Sequence, residues 1–251
     1  MNPFPARSLS SSCLVALLVC APAAHATVVG IFGGSSTGAF PVRAASLGYA
    51  TEFWWLPAQI TPPSLANVDV LYVTSGNTAK LSNEAATIVS WVSQGNGLIV
   101  EQPNVTGLVA ILPPSLPISI WSKDYDGTNV GPDPVRNVLI TPAGALHPIT
   151  AGLAGSEICQ NLERVLHSDV APGYDILGVQ ASNTNYVAVA AATCGLGRVV
   201  FHTGNAGTNS FSPGSDTYIQ QMLDWAAVPE PHAALALAAA GILSARRRTS
   251  A

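Results

Sequence analysis

Polar side chains close four apolar runs in this 251-residue chain. Ser35 and Ser36 follow Val28-Val29-Gly30-Ile31-Phe32, and Ser75 and Asn77 follow Val70-Leu71-Tyr72-Val73. Glu101 and Asn104 follow Leu98-Ile99-Val100, and His202 and Asn205 close the run that starts near Gly197. If those runs are parallel strands, their C-terminal ends converge on one crevice, the usual ligand site of open α/β sheets. Glu101 and His202 are then candidates for acid and base on a carbohydrate, or for a metal site. The plainer alternative makes both of them hydrogen-bonded residues at strand termini. Ser35, Ser75, Asn77, Asn104 and Asn205 are the remaining ligand-binding candidates. The glycine-rich stretch Gly33 to Gly38 lacks the Gly-Lys-Ser/Thr of a phosphate loop, and reads as a turn between a strand and a helix.

A second set of oxygen donors lies between Ser122 and Asp133. Ser122, Asp124, Asp126 and Asp133 occupy positions one, three, five and twelve of a loop with Gly127 at six. That spacing is like an EF-hand calcium loop, although serine replaces the first acid and Asp the bidentate Glu. An ordinary Asp-Gly turn explains the same residues. Calcium is the one cofactor the chain raises. No cysteine stands after Leu98-Ile99-Val100, and no G-x-S-x-G occurs, so no nucleophile for acyl transfer is assigned.

The elements that would position these residues alternate. Val28 to Phe32, Thr51 to Leu56, Asp69 to Thr74 and Leu98 to Val100 read as buried strands. Gly38 to Leu47 reads as a short helix. A second helix opens at Leu81-Ser82-Asn83-Glu84 with Ser82 or Asn83 as cap, puts Ile88, Val89 and Val92 on one face, and stops at Gly95-Asn96-Gly97. Strands return at Tyr186 to Ala191 and Gly197 to His202, and a last helix spans Asp216 to Ala226. Pro-rich stretches at Leu112 to Pro117 and Gly131 to Pro134 read as excursions from the sheet. Continuous apolar strands alternating with amphipathic helices predict an α/β fold with a mainly parallel sheet covered on both faces.

Both ends of the chain carry targeting patterns. Arg7, the apolar run Cys13 to Cys20 and the Ala24-His25-Ala26 cleavage pattern read as a signal peptide over residues 1–26, the substrate of a signal peptidase. At the other end, Val228-Pro229-Glu230-Pro231 precedes an apolar run and then Arg246-Arg247-Arg248. The three arginines would stay on the cytoplasmic side and leave everything before Val228 outside. Ala233 to Ala245 would rise only about 20 Å as helix, short for a span of roughly 20 residues, so a temporary inner-membrane anchor fits better than a permanent transmembrane helix. This tail, residues 228–251, resembles the PEP-CTERM sorting signal of Gram-negative bacteria. The resemblance implies an exosortase as processing partner and a cell-surface or exopolysaccharide-matrix destination, as in biofilm.

With both ends removed, six basic and thirteen acidic residues remain, a balance of minus seven that argues against nucleic acid and anionic membranes. Cys159 and Cys194 are the cysteines left. In an oxidising compartment a disulfide is the default, and two buried free thiols are the alternative.

The body, residues 27–227, carries several phrases in order: Leu65-Ala66-Asn67-Val68-Asp69-Val70-Leu71, Trp91-Val92-Ser93-Gln94-Gly95-Asn96-Gly97, His147-Pro148-Ile149-Thr150-Ala151-Gly152-Leu153, Gly195-Leu196-Gly197-Arg198-Val199-Val200, and Leu223-Asp224-Trp225-Ala226. Together they resemble the class I glutamine amidotransferase-like superfamily, especially its ThuA-like branch. That resemblance implies a flavodoxin-like three-layer sandwich. The catalytic cysteine of such enzymes would stand where this chain has Glu101-Gln102-Pro103-Asn104. Two readings remain: a non-catalytic surface or matrix protein that binds glycan through strand-end polar groups and aromatics such as Trp54, Trp55, Trp121 or Tyr125, or an extracytoplasmic carbohydrate-active hydrolase using Glu101 and His202.

Overall fold

A computed structural model describes residues 26–33, 39–101, 103–123, 138–155, 158, 163–204 and 215–228. The expected signal peptide and sorting tail therefore lie outside the described residues. So do Ser35, Ser36, Asp124, Tyr125, Asp126, Asp133, Cys159 and Asn205.

In chain order the elements are β1 (Val28–Phe32), α1 (Ala39–Ser46), β2 (Ala50–Trp54), α2 (Pro62–Leu65), β3 (Val70–Val73), α3 (Ala85–Ser93) and β4 (Gly97–Glu101). The short strands β5 (Gly107–Leu108), β6 (Ser119–Ile120) and β7 (Ser122–Lys123) follow, then β8 (Val138–Ile140), α4 (Pro142–Leu146) and β9 (Glu163–Arg164). The chain continues through β10 (Asp175–Gln180), β11 (Asn183–Cys194), β12 (Gly197–His202) and α5 (Ser215–Ala227). Eight strands form the main sheet in the order β2-β1-β3-β4-β12-β11-β10-β8. From β2 to β12 every neighbouring pair is parallel, and from β12 to β8 every pair is antiparallel. The parallel part has the 2-1-3-4-5 order of a flavodoxin-like sheet. An antiparallel extension of three strands is added to it.

Burial explains the continuous apolar runs. Strand alternation sends Phe32, Leu71, Val73, Leu98, Val100, Val199 and Phe201 to one face, where they meet Leu65, Ile88, Trp91 and Val92 of α2 and α3. Val29, Ile31, Val70, Tyr72, Ile99 and Val200 face the other way, onto Phe40 of α1 and Tyr218, Ile219, Met222 and Leu223 of α5. Two helical layers on a central sheet make the expected three-layer sandwich. The Pro-rich segment after Leu112 does leave the main sheet, and it is bounded by the separate β5–β6 pair.

Three sequence expectations change. Neither Ser82 nor Asn83 caps α3: both lie in a 3-10 turn from Thr78 to Glu84, Glu84 holds the cap position, and no side chain bonds there. Trp91, rather than Val89, joins Ile88 and Val92 on the buried face, because its indole N–H donates to the Leu65 carbonyl of α2 at 2.9 Å. Strand β10 is not read from the sequence at all. Its run is broken by Gly178, which makes room for Val138 and Val189.

Candidate functional site

The parallel register brings the C-terminal strand ends together as expected. Glu101 ends β4, His202 ends β12, and the two are register partners on adjacent strands. Both continue the row of Ile99 and Val200, so their side chains face α1 and α5. Tyr72 of β3 lies in the same layer, its hydroxyl 3.5 Å from His202 Nε2. The Phe40 ring stacks on Tyr72 at 3.6 Å, and the Tyr218 ring meets His202 edge-on at 6.0 Å.

This cluster is sealed. Glu101 is 1 % exposed and His202 is 0 % exposed. Burial pushes the His202 pKa down to about 3, with a backbone hydrogen bond at Gly204 working in the other direction. The imidazole is therefore neutral at physiological pH and too weak a base to take a proton there. Glu101 and His202 do lie side by side in register, but both are buried. Two clefts among the described residues, one of about 560 Å³ between α2 and α3 and one of about 440 Å³ beside the end of α5, include neither of them.

The other candidates divide. Asn77 is nearly buried and fully engaged: its amide donates to Thr74 Oγ1 at 3.0 Å and to the Ser75 carbonyl at 2.9 Å, while its Oδ1 accepts from Lys80 Nζ at 2.8 Å. Those bonds fold the turn after β3, and Gly33 lies so close that a Cβ there would strike the Asn77 side chain. Ser75 is half-buried in the same turn. Asn104 takes a left-handed backbone, φ 51°, and its N–H donates to the carboxylate of Glu163. Glu163 is 1 % exposed, a second buried carboxylate at this end of the sheet. Sequence reasoning missed it, since no pattern surrounds Glu163 in the chain.

Ser122, the first donor of the EF-hand-like loop, lies in β7, paired with Arg164 of β9, and the other three donors lie outside the described residues. Among the described residues no group of three or more His, Cys, Asp or Glu side chains could hold a metal. Cys194 is a free thiol among the described residues, and Cys159, its expected disulfide partner, lies outside them. It ends β11 beside the start of β12, at the opposite end of the sheet from Glu101. Burial pushes its pKa up, so it holds less thiolate than an ordinary cysteine. Trp54 is buried, and Trp55, on the other side of the chain, is exposed. Among the described residues no helix is long and apolar enough to cross a membrane.

What these elements define is a class of fold: a flavodoxin-like α/β sandwich with buried polar groups at its strand ends. Solved structures are similar to the chain in fold. The cytoplasmic protein STM3548 from Salmonella typhimurium is similar with a TM-score of 0.56 and 11 % identity, over 81 % of this chain and 99 % of that one. A Thermoplasma acidophilum protein, provisionally described as a component of GMP synthase, matches with a TM-score of 0.54 and 10 % identity, over 81 % and 95 %. A provisionally described ThuA-like protein from Bacteroides uniformis matches with a TM-score of 0.48 and 12 % identity, over 82 % and 93 %. No protein-family model matches the chain, and no curated protein matches it either. At these identities the likeness is one of fold alone.

Proposed function

We propose that this chain is an exported, exosortase-sorted protein of the cell surface or exopolysaccharide matrix, whose amidotransferase-like domain binds glycan and does not catalyse. The observation that carries the non-catalytic reading is the burial of the strand-end pair. Glu101 and His202 are 1 % and 0 % exposed, and a histidine with a pKa of about 3 is a poor general base at neutral pH. The address rests on the order Pro229-Glu230-Pro231, apolar run, Arg246-Arg247-Arg248, together with the signal-peptide pattern before Thr27. Register adjacency of Glu101 and His202 is what favours the hydrolase reading, and their enclosure weighs against it.

The test is the intact mass of the protein recovered from its producing organism, with envelope and medium separated. A species starting at Thr27, lacking the residues after Pro-Glu-Pro and found outside the cell is the expected result. A full-length tail retained in the membrane would overturn the sorting reading.

A further inference from the structure

We infer that Trp121, Arg164 and Tyr186 form a binding platform for a neutral pyranose polysaccharide, an inference that rests on the glycan-binding reading above and gives it a place. The platform follows from strand pairing. Trp121 lies between β6 and β7, and its backbone N–H donates to the Arg164 carbonyl at 3.0 Å. Alternation along β9 turns Glu163 inward and leaves Arg164 half-buried on the outer side. Tyr186, on β11, is held close by the bridge between Leu166 and Tyr186. The Arg164 guanidinium stands 6.0 Å from the Trp121 ring and 5.8 Å from the Tyr186 ring. Trp121 is 56 % exposed, and Tyr186 is half-buried.

The chemistry of that row selects its occupant. An indole and a phenol present flat apolar faces with negative quadrupoles, which suit the C–H face of a pyranose ring. The Arg164 guanidinium, within cation–π range of both rings, holds them as a pair. A protein partner would ask for a contiguous apolar patch, whereas here a charged head separates the two rings. Nucleic acid and acidic polysaccharide meet a mature body of minus seven, with one cation in the platform to set against it. A neutral chain meets no such repulsion.

The experiment is affinity electrophoresis of the full chain through native gels containing hydroxyethylcellulose, galactomannan or alginate. The expected result is retardation by a neutral polymer, weakened about tenfold or more by Trp121→Ala and by Tyr186→Leu, and partly restored in Trp121→Phe. Circular dichroism and an unchanged melting temperature establish that the variants fold. Retardation of the wild type that both variants retain would put glycan binding elsewhere and overturn the platform alone. Retardation by alginate only, lost in salt, would overturn the neutral class. Absence of retardation by every polymer would overturn the platform and the glycan-binding reading together.

Discussion

His202 is the residue whose burial has the clearest consequence. Its pKa is about 3 in the folded chain, against an ordinary value near 6.5 when unfolded. Below pH 6.5 the unfolded chain takes up a proton that the folded chain refuses, so stability is complete above that pH and falls as pH drops towards 3. Each unit in that window costs up to about 1.4 kcal/mol, so the step from pH 6.5 to 5 removes roughly 2 kcal/mol through this one group. Urea melts of the wild type and of His202→Phe at both pH values check this. The wild type should lose about 2 kcal/mol more than the variant over that step, and parallel losses would contradict it. His147 is also lowered by burial, and since it is present in both proteins its contribution drops out of the comparison. Glu163 offers a second residue-scale prediction. Its carboxylate accepts the Asn104 N–H where the backbone is left-handed, so Glu163→Ala leaves a donor without its acceptor and should cost about 1–3 kcal/mol. Equal denaturation midpoints for this variant and the wild type would show that the carboxylate does not hold the loop after β4.

Elements show why some of the molecule was legible in the chain and some was not. Runs such as Val70 to Val73 and Leu98 to Val100 are strands buried on both faces, and such strands announce themselves as unbroken apolar sequence. The antiparallel extension is legible only in part: Tyr186 to Ala191 of β11 reads as a strand, whereas Gly178 interrupts β10 and the outer half of β11 is unevenly buried. Candidate residues Glu101 and His202 were legible as strand ends, since register follows from the parallel pattern. Their burial was not, because the rings that meet His202, Tyr72 and Tyr218, come from two other elements. Two glycines carry the packing that sequence punctuation only hinted at. Gly197 begins β12 directly against the carbonyls of Val92 and Asn96 at the end of α3, and Gly97 begins β4 against the Ala226 carbonyl of α5. A methyl group at either position meets backbone, which cannot rotate away as a side chain would. Gly197→Ala should therefore cost about 3 kcal/mol. Gly152→Ala, where nothing lies within 4 Å of the new Cβ, should cost less and only through its φ of 76°. Thermal melts of the two variants give the comparison, and equal losses would sink the packing argument.

At the scale of the whole molecule, the end of α5 is where the folding unit and the proposed sorting tail meet. Tyr218, Ile219, Met222, Leu223 and Ala226 are all 0 % exposed and close the layer over β3, β4 and β12. Fully burying large apolar side chains contributes roughly 1.5–3 kcal/mol each, so this helix accounts for about as much as the 5–15 kcal/mol net stability of a typical domain. Val228, one residue past α5, is exposed. A processing cut near Pro229-Glu230-Pro231 leaves α5 whole, whereas a cut a turn or two earlier removes part of it. Chains ending after Val228 and after Asp216 make the contrast. The first should unfold in a single cooperative transition with a melting temperature within a few degrees of the full chain. The second should lack that transition and expose the Tyr72 layer to proteolysis. If the Val228 chain were as unstable as the shorter one, the tail would be part of the folded body, and a sorting signal that is cut away would be the wrong description of residues 229–251.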